Sequence, residues 1–219
     1  MAGLVPLALV RTDHGPQLIL ASASPARLQL LRAAGFDPAV QVSGVDESVV
    51  RTDDAGELCL ALARMKARAV AATLPAEDGV LVLGCDSVLA FGGEILGKPK
   101  NAGEAVARWR AMRGRSGVLH TGHHLTDLTS GKQAEDVGAT VVHFADVSDA
   151  EIDAYVASGE PLHVAGSFTI DGLGGVFVER IEGDHGNVVG LSLPLFRRLL
   201  MTFGVTVPQL WKARAGETA

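Results

Sequence analysis

Residues 17–35 read QLILASASPARLQLLRAAG, a stretch that predicts a strand, a short turn and the start of a helix. The apolar run at 17–21 has the character of a buried strand. Ser24 is a suitable N-cap, Pro25 fits the first helical turn, and Gly35 is typical of a helix end. Segments of strand and helix character alternate along the rest of the chain, which predicts an α/β protein rather than a helical bundle or a β-sandwich.

Composition limits the class of protein. The 219 residues are 47% hydrophobic, enough for one sizeable core or two joined lobes. Nineteen Lys and Arg stand against 25 Asp and Glu without a basic block, so no nucleic-acid partner is expected. No signal peptide or membrane span is expected, because the apolar runs are too short. Cys59 and Cys85 form no CxxC pattern, which predicts buried reduced thiols and a cytoplasmic protein.

The remaining periodic segments complete the predicted α/β order. Helical spacing over 57–74 predicts a buried stripe of Leu58, Leu62, Met65 and Ala69, with Lys66 at its edge. Capping boxes predict helices after Asn101 and Ser148, and a further helix is predicted from Pro194. Strands are predicted at 80–83, 118–125, 139–144 and 176–178, the second and third as a pair.

The turn at 22–27, SASPAR, could bind an anion. A helix N-terminus offers unpaired N–H groups and a partial positive charge, and the hydroxyls of Ser22 and Ser24 and the guanidinium of Arg27 add donors there. The alternative is that Ser24 only caps the helix and Arg27 is a solvated charge. The segment alone leaves both readings open.

Acidic residues follow two apolar segments. Asp46-Glu47 comes after a strand-like run at Val45, and Asp86 comes directly after the strand at 80–83, where a strand end would deliver it into a cleft. Such carboxylates are candidate ligands for Mg²⁺ or Mn²⁺ shared with a substrate phosphate. Lys66 and Lys98 could bind phosphate oxygens. The alternative is that these are solvated loop acids and surface lysines.

Other signals are weaker. No GxxxxGK[ST] is present, and the glycines at 172–175 lack the spacing of a dinucleotide-binding turn. His120, His123 and His124 could suggest a metal site, but strand alternation places His123 on the face opposite the other two. Histidines of a strand or cleft, without metal, are the expected interpretation.

Together these segments resemble the signature blocks of the Maf family, in order and at matching spacing over roughly 17–203. The family's SxSPRR block resembles SASPAR at 22–27, and its VDE block resembles 45–47. Its DT block and GKP loop resemble Cys85-Asp86-Ser87 and Gly97-Lys98-Pro99. Its AGSF and GDxxNVVGL blocks resemble 165–168 and 183–191, with Pro194 following.

The resemblance implies a mixed twisted sheet with flanking helices and two lobes around a central cleft. It implies hydrolysis of a nucleoside triphosphate, ordinary or modified, between the α and β phosphates, with a divalent cation, Mg²⁺ or Mn²⁺. Asp86 matches the proton acceptor and Glu47 a metal-associated acid, and the sequence leaves open whether Asp86 acts as base, as metal ligand or as both. The matching phosphate-side residues are Ser22, Ser24, Arg27, Lys66 and Lys98.

The resemblance also frames the chain's organisation and the alternatives. It implies one two-lobed domain over 17–206, an extension at 1–16, a C-terminal helix and tail at 207–219, and compatibility with a homodimer. The competing functions are a nucleotide-binding regulator of cell division that does not turn its ligand over, and a phosphatase that releases orthophosphate.

Three positions concern the choice of nucleobase. Ala26 stands where family members directed at dTTP and UTP carry arginine, and Asp171 where they carry glutamine; Ser87 replaces the threonine of the DT block. Alanine removes guanidinium donors and any stacking face. Asp171 could accept hydrogen bonds from a base N–H, which favours guanine or cytosine as a hypothesis.

Overall fold

The computed structural model describes residues 16–75 and 79–211. The predicted N-terminal extension, except Pro16, and the tail from 212 lie outside these residues. Within them, a seven-stranded sheet has the order β2-β1-β3-β5-β6-β7, and β4 also pairs with β3. β1 is parallel to β2 and β3, and the other pairs are antiparallel. The strands are β1 Gln17–Leu20, β2 Ala39–Val40, β3 Val80–Phe91, β4 Glu94–Leu96, β5 Ser116–Asp127, β6 Gln133–Phe144 and β7 Val178–Glu182.

Helices flank this mixed sheet, so the predicted α/β class is confirmed. They are α1 Pro25–Ala33, α2 Ala55–Ala71, α3 Ala102–Met112, α4 Asp149–Ala157, α5 His185–Val189, α6 Leu193–Thr202 and α7 Val207–Leu210. Short 3-10 turns lie at Glu47–Val49, Glu160–His163, Ala165–Ser167 and Leu173–Phe177. No helix in the described ranges is long and apolar enough to cross a membrane.

Local sequence signals set most of the helix ends. The Ser24 side chain accepts from the Arg27 amide, and both reciprocal bonds of the Ser148 capping box are present. At Asn101 only half of the predicted box forms, because the Glu104 carboxylate bonds the Lys100 amide instead. The predicted strand at 176–178 was wrong: a 3-10 turn runs through Phe177, and β7 begins at Val178.

Four hydrophobic clusters line the sheet among the described residues, and the two largest are called here the first and the second core. The first lies under α1 and α6 and includes Leu20, Leu31, Leu83, Leu195 and Phe196. Leu210 of α7 joins this core, and Trp211 forms a backbone bridge with Phe36. The second core lies under α3 and α4, and its largest members are Leu89, Trp109, Met112, Phe144, Ile152, Tyr155 and Phe168. The long strands β3, β5 and β6 carry residues that lie in or pack against both of these cores.

The buried face of α2 differs from the predicted stripe. Only Leu62 of that stripe is buried, and the other buried residues of α2 are Ala55, Cys59, Ala63, Ala67 and Val70. The cause is close packing of α2 on two strand glycines. A Cβ at Gly84 would lie 2.2 Å from the Ala63 carbonyl oxygen, and one at Gly122 would lie 2.4 Å from that of Cys59. Small residues must therefore face the sheet.

The segment after α4 is attached to β3 by a second close approach. Gly166 has a φ of +67°, and a Cβ there would lie 2.8 Å from the Cβ of Leu89. Its amide donates to the Gly97 carbonyl oxygen at 3.2 Å. This contact joins the 165–168 block to the loop that carries Lys98.

Candidate active site

Asp86 lies in the middle of β3, not at a strand end, so the predicted position was wrong. The strand continues to Phe91 because β5 pairs with it throughout, from Leu81 to Ala90. On the opposite edge, β1 pairs with β3 only up to Leu83 and β4 pairs from Leu89 onward. The edge of β3 at 84–88 is therefore open between these two partners. Asp86 therefore lies at this gap in pairing, between residues of the first and the second core.

Asp86 is the centre of a compact charge cluster. Asp86 is only 8% exposed, and its carboxylate lies 2.5 Å from Nζ of Lys66 in α2. The same ammonium lies 2.8 Å from the Glu47 carboxylate. Burial raises the pKa of Asp86 above its ordinary value, while Lys66 and Arg27 act against that rise. The carboxyl is thus made more basic, and two neighbouring cations favour its ionised form.

Glu47 belongs to a turn rather than to the end of a strand. No strand forms at Val45; Asp46 caps the short 3-10 turn at 47–49, where its carboxylate accepts from the amide and hydroxyl of Ser48. These hydrogen bonds lower the pKa of Asp46. Asp46 is thereby occupied with the turn, and the half-exposed Glu47 side chain is the acid of the pair that meets Lys66.

Arg27 is buried and connects three parts of the chain. Its Nε donates to the Gly190 carbonyl oxygen at 2.7 Å, and Nη1 donates to the Cys85 carbonyl oxygen at 2.9 Å and to Ser22 Oγ at 3.1 Å. Nη2 donates to Ser87 Oγ at 2.9 Å. The guanidinium has five N–H groups, so four are engaged with the protein. Its bond to Cys85 falls on the open edge of β3, beside Asp86.

The hydroxyl of Ser22 is oriented by these bonds. Its oxygen accepts from the Ser24 amide at 3.2 Å and from Arg27 at 3.1 Å. A hydroxyl that accepts twice keeps its own proton to donate. Ser22 therefore has a proton to donate at the start of α1, where the sequence predicts an anion site, whereas Ser24 Oγ accepts from the Arg27 amide as a helix cap.

Ser87 faces the opposite side of β3 from Asp86, at one end of a hydroxyl chain. Its Oγ lies 2.9 Å from Thr121 Oγ1, which donates to the Asn187 carbonyl oxygen at 2.9 Å. Since the single Thr121 proton is used there, Ser87 must donate to Thr121 while it accepts from Arg27. Sequence reasoning missed Thr121 as a site residue. The position of Asn187 inside the GDxxNVVGL block was the available signal.

Lys98 and Asp171 make no direct contact of this kind with the cluster around Asp86. Both are exposed, and neither makes a hydrogen bond or ion pair with the other described residues named so far. The loop of Lys98 is held by Gly97, whose carbonyl oxygen accepts from Arg108 at 2.6 Å. Ala26 is half-buried on α1, one residue from Arg27. The structure therefore unites Asp86, Lys66 and Glu47, and separately Arg27, Ser22 and Ser87.

The cysteines and histidines have structural environments. Cys59 and Cys85 are free and buried, as predicted, and burial raises the pKa of each to about 12. His123 accepts from the Ser192 amide at the start of α6, while His124 faces α2 and bonds Glu135. The prediction of opposite faces is confirmed. Within 16–75 and 79–211, no three His, Cys, Asp or Glu residues form a group that could hold a metal.

The carboxylate pair nevertheless suits a shared cation. Mg²⁺ typically binds one or two protein carboxylates and completes its shell with water and substrate phosphate oxygens. Glu47 and Asp86 are two such carboxylates, and both already contact one positive charge, the ammonium of Lys66. The donor set therefore fits a hard divalent cation bound together with a phosphate ligand.

The fold and site define a class: a mixed α/β protein with a buried acid, cations and an oriented hydroxyl at an open strand edge, suited to phosphate chemistry. The chain belongs to the Maf-like protein family, whose sequence profile matches residues 17–203. It is 61% identical over 213 residues to a Salinispora tropica protein, covering 96% of this chain and 90% of that one. Relatives in Streptomyces coelicolor, 58% identical over 195 residues, and Microcystis aeruginosa, 52% over 194, are covered to 94% and 98%, with 89% of this chain aligned to each. All three relatives are named nucleoside triphosphate pyrophosphatase.

Proposed function

We propose that this chain is a nucleoside triphosphate pyrophosphatase that hydrolyses the α–β phosphoanhydride bond and releases a nucleoside monophosphate and pyrophosphate. The observation that carries the proposal is the buried Asp86 carboxylate beside Lys66 and Glu47 at the open edge of β3. Relatives with this name at 52–61% identity support the same reaction.

Asp86 is the proposed proton acceptor. Water attacks one phosphorus of the anhydride, the bond between that phosphorus and the bridging oxygen breaks, and the water proton passes to Asp86. A carboxyl whose pKa is raised by burial is a stronger base than one in water, provided that it stays ionised. Lys66 and Arg27 favour that ionised form, and Lys66 also holds the carboxylate in place.

The remaining site residues bind and orient the phosphates. Ser22 donates its free proton to a phosphate oxygen at the positive end of α1. Arg27 supports this by holding Ser22, and it has one N–H left for an anion. Lys98 supplies an exposed cation from its anchored loop. Preorganised donors of this kind stabilise the charge that builds on the phosphoryl oxygens.

We propose Mg²⁺ or Mn²⁺ as cofactor, with Glu47 and Asp86 as the residues that would hold it. Such an ion, when bound, polarises a phosphoryl oxygen and neutralises developing charge. Because Lys66 contacts both carboxylates, its ammonium would have to share or shift its position. Chelation with EDTA is expected to abolish turnover, and added Mg²⁺ or Mn²⁺ to restore it.

We also propose that Asp171 reads the nucleobase and favours guanine or cytosine. Asp171 is exposed, and a carboxylate accepts hydrogen bonds from amino and ring N–H groups. The values of kcat/KM for GTP, CTP, UTP, dTTP and 7-methyl-GTP test this preference. A clear advantage of the uracil nucleotide would contradict it.

Product analysis separates the three candidate functions. The purified chain is incubated with this nucleotide panel and Mg²⁺ or Mn²⁺, and the products are identified. Monophosphate with pyrophosphate supports the proposal, and stepwise orthophosphate would indicate a phosphatase. Binding without turnover would indicate a nucleotide-binding regulator, which has no need for a water-activating carboxylate.

A cytoplasmic location and a homodimer are further proposals. The two buried free thiols favour a reducing compartment. Family resemblance alone supports the dimer. Sedimentation velocity of the purified chain across a range of concentrations tests it.

A further inference from the structure

Glu160 accepts more hydrogen bonds than any role described above requires. It begins the 3-10 turn that follows α4, and its Oε1 lies 2.9 Å from the Tyr155 hydroxyl, 2.5 Å from Thr169 Oγ1 and 3.0 Å from the Gly174 amide. Oε2 accepts from the Leu173 amide at 2.9 Å. These donors lower the pKa of Glu160 against the effect of its partial burial. The carboxylate thus accepts four hydrogen bonds, one from Tyr155 and three from a single stretch of chain.

That stretch, residues 169–174, wraps closely around the carboxylate; we call it the Asp171 turn. A Cβ at Gly172 would lie 2.5 Å from Glu160 Oε2, and one at Gly174 would lie 2.4 Å from the Tyr155 hydroxyl oxygen. Glycines are required at both positions to allow this approach. Asp171 is exposed in this turn, whereas the Glu160 carboxylate that the turn surrounds is half-buried.

The anchor of this turn is rigid. Tyr155 is 4% exposed, and its ring packs edge-on against Trp109 at 5.5 Å and Phe177 at 5.4 Å. The Tyr155 hydroxyl also accepts from the Thr169 amide at 3.2 Å. Through its hydrogen bond to Tyr155, Glu160 thus links the Asp171 turn to the well-packed side chains of the second core. At the other end of the same segment, Gly166 is fixed against Leu89 of β3, three residues beyond Asp86.

We propose that Glu160 is a positioning residue for nucleobase selection, which acts by holding the Asp171 turn in the conformation that presents Asp171 to the base. This inference rests on the proposed function. Two large apolar side chains that follow Asp171 in the sequence are also exposed, Leu173 at 59% and Val176 at 80%. A fixed carboxylate with nearby apolar surface offers a base both hydrogen-bond acceptors and a contact face.

Replacing Glu160 tests the turn and the selection together. Glu160→Ala removes all four acceptor contacts, whereas Glu160→Gln keeps an oxygen in place of Oε1 and loses only the contact to Leu173. Glu151→Gln is the matched control, because Glu151 is a capping glutamate of α4 that contacts only Ser148. The ratio of kcat/KM between the best and worst nucleotides, and hydrogen exchange at the Leu173 and Gly174 amides, are measured for each variant.

We expect Glu160→Ala to lower the base-selection ratio about tenfold, mainly through KM, because a misplaced positioning group weakens binding without touching the reacting atoms. Hydrogen exchange at the Leu173 and Gly174 amides should accelerate in Glu160→Ala. In both the selection ratio and the exchange rates, Glu160→Gln should lie between Glu160→Ala and the natural protein, and Glu151→Gln should match the natural protein. In the double variant with Asp171→Asn, removing Glu160 should cause no further loss of selection, because both changes act through one group.

Three results would overturn the inference: unchanged exchange in both Glu160 variants, faster exchange with an unchanged selection ratio, or losses that add fully in the double variant. If Glu160→Ala does not fold, Glu160→Gln decides the same questions. Absence of turnover in the natural protein would instead overturn the proposed function. The ratio of nucleotide dissociation constants, measured by calorimetry, then replaces kcat/KM as the test of Glu160.

Discussion

Asp86→Asn should separate catalysis from stability. The change keeps the size and shape of the side chain but removes the negative charge and the proton-accepting oxygen. Loss of a positioned general base lowers kcat by about 10²–10⁴-fold. Lys66 keeps its 2.8 Å contact with Glu47, so its ammonium is not left without a carboxylate. Turnover should therefore fall by that factor or more without collapse of the surrounding charge cluster.

The same substitution should leave the melting temperature unchanged or raise it. Burial raises the pKa of Asp86 in the folded state, so the ionised form costs folding free energy at pH values above its folded and unfolded pKa. A neutral amide avoids this cost. Kinetics with the preferred nucleotide and Mg²⁺ give kcat, and calorimetric scanning of the same preparation gives Tm.

Asp127→Asn is the control with the opposite expectation. Although partial burial acts to raise the pKa of Asp127, hydrogen bonds from Ser130 and Thr129 lower it overall, so its charge stabilises the fold. Asp127 pairs with Leu81, five residues and roughly 17 Å along β3 from Asp86. This variant should lose stability and keep its turnover. Near-normal turnover of Asp86→Asn, or a Tm below that of Asp127→Asn, would refute the reasoning.

Three further predictions concern the scaffold. Burial lowers the pKa of His123 to about 4, so as the pH falls below 6.5 the unfolded chain takes up a proton before the folded protein does. The free energy of unfolding should therefore drop by about 2 kcal/mol between pH 7 and 4.5. Denaturant titrations at the two pH values measure this drop, which should be smaller for His123→Gln. Gly166→Ala should lower the free energy of unfolding by about 2–4 kcal/mol, because the new Cβ adds both strain at a positive φ and overpacking against Leu89. Gly44→Ala is the control and should cost about 1 kcal/mol, because Gly44 has a positive φ but open space around it. Equal losses would contradict the close approach of Gly166 to β3. Arg27→Lys should lower the free energy of unfolding, measured by denaturant titration, by about 2–4 kcal/mol, because one ammonium cannot replace the four hydrogen bonds of the guanidinium. The same change at the exposed Arg32 should alter it by less than about 0.5 kcal/mol.

Local signals predicted local structure well. Ser24 and Ser148 cap the helices that the sequence assigns to them, and strand alternation correctly places His123 and His124 on opposite faces. These features depend on neighbours within a few residues, so the sequence contains what is needed. The predicted strand at 176–178 was wrong because residues 173–177 form a 3-10 turn, whose first two amides, those of Leu173 and Gly174, donate to Glu160.

The site required long-range information. The apolar run before Asp86 predicted a strand end, but pairing with β5, which lies some 35 residues further along the chain, extends the strand past it. Arg27 could be predicted as an anion ligand from its place at a helix start. Its bonds to Cys85 and Gly190 depend on residues 58 and 163 positions away, and they give it a connecting role.

The sequence by itself determined the alternation of strands and helices, the helix starts and the set of acids, cations and hydroxyls at the family's positions. Only the tertiary structure decided how that set is arranged. Gly84 and Gly122 let α2 approach the sheet so closely that Lys66 meets Asp86, and the break between β1 and β4 opens the edge of β3 at that point. The physical reason is that each contact joins residues far apart in the chain, whose approach is fixed by strand pairing and close packing rather than by local preference.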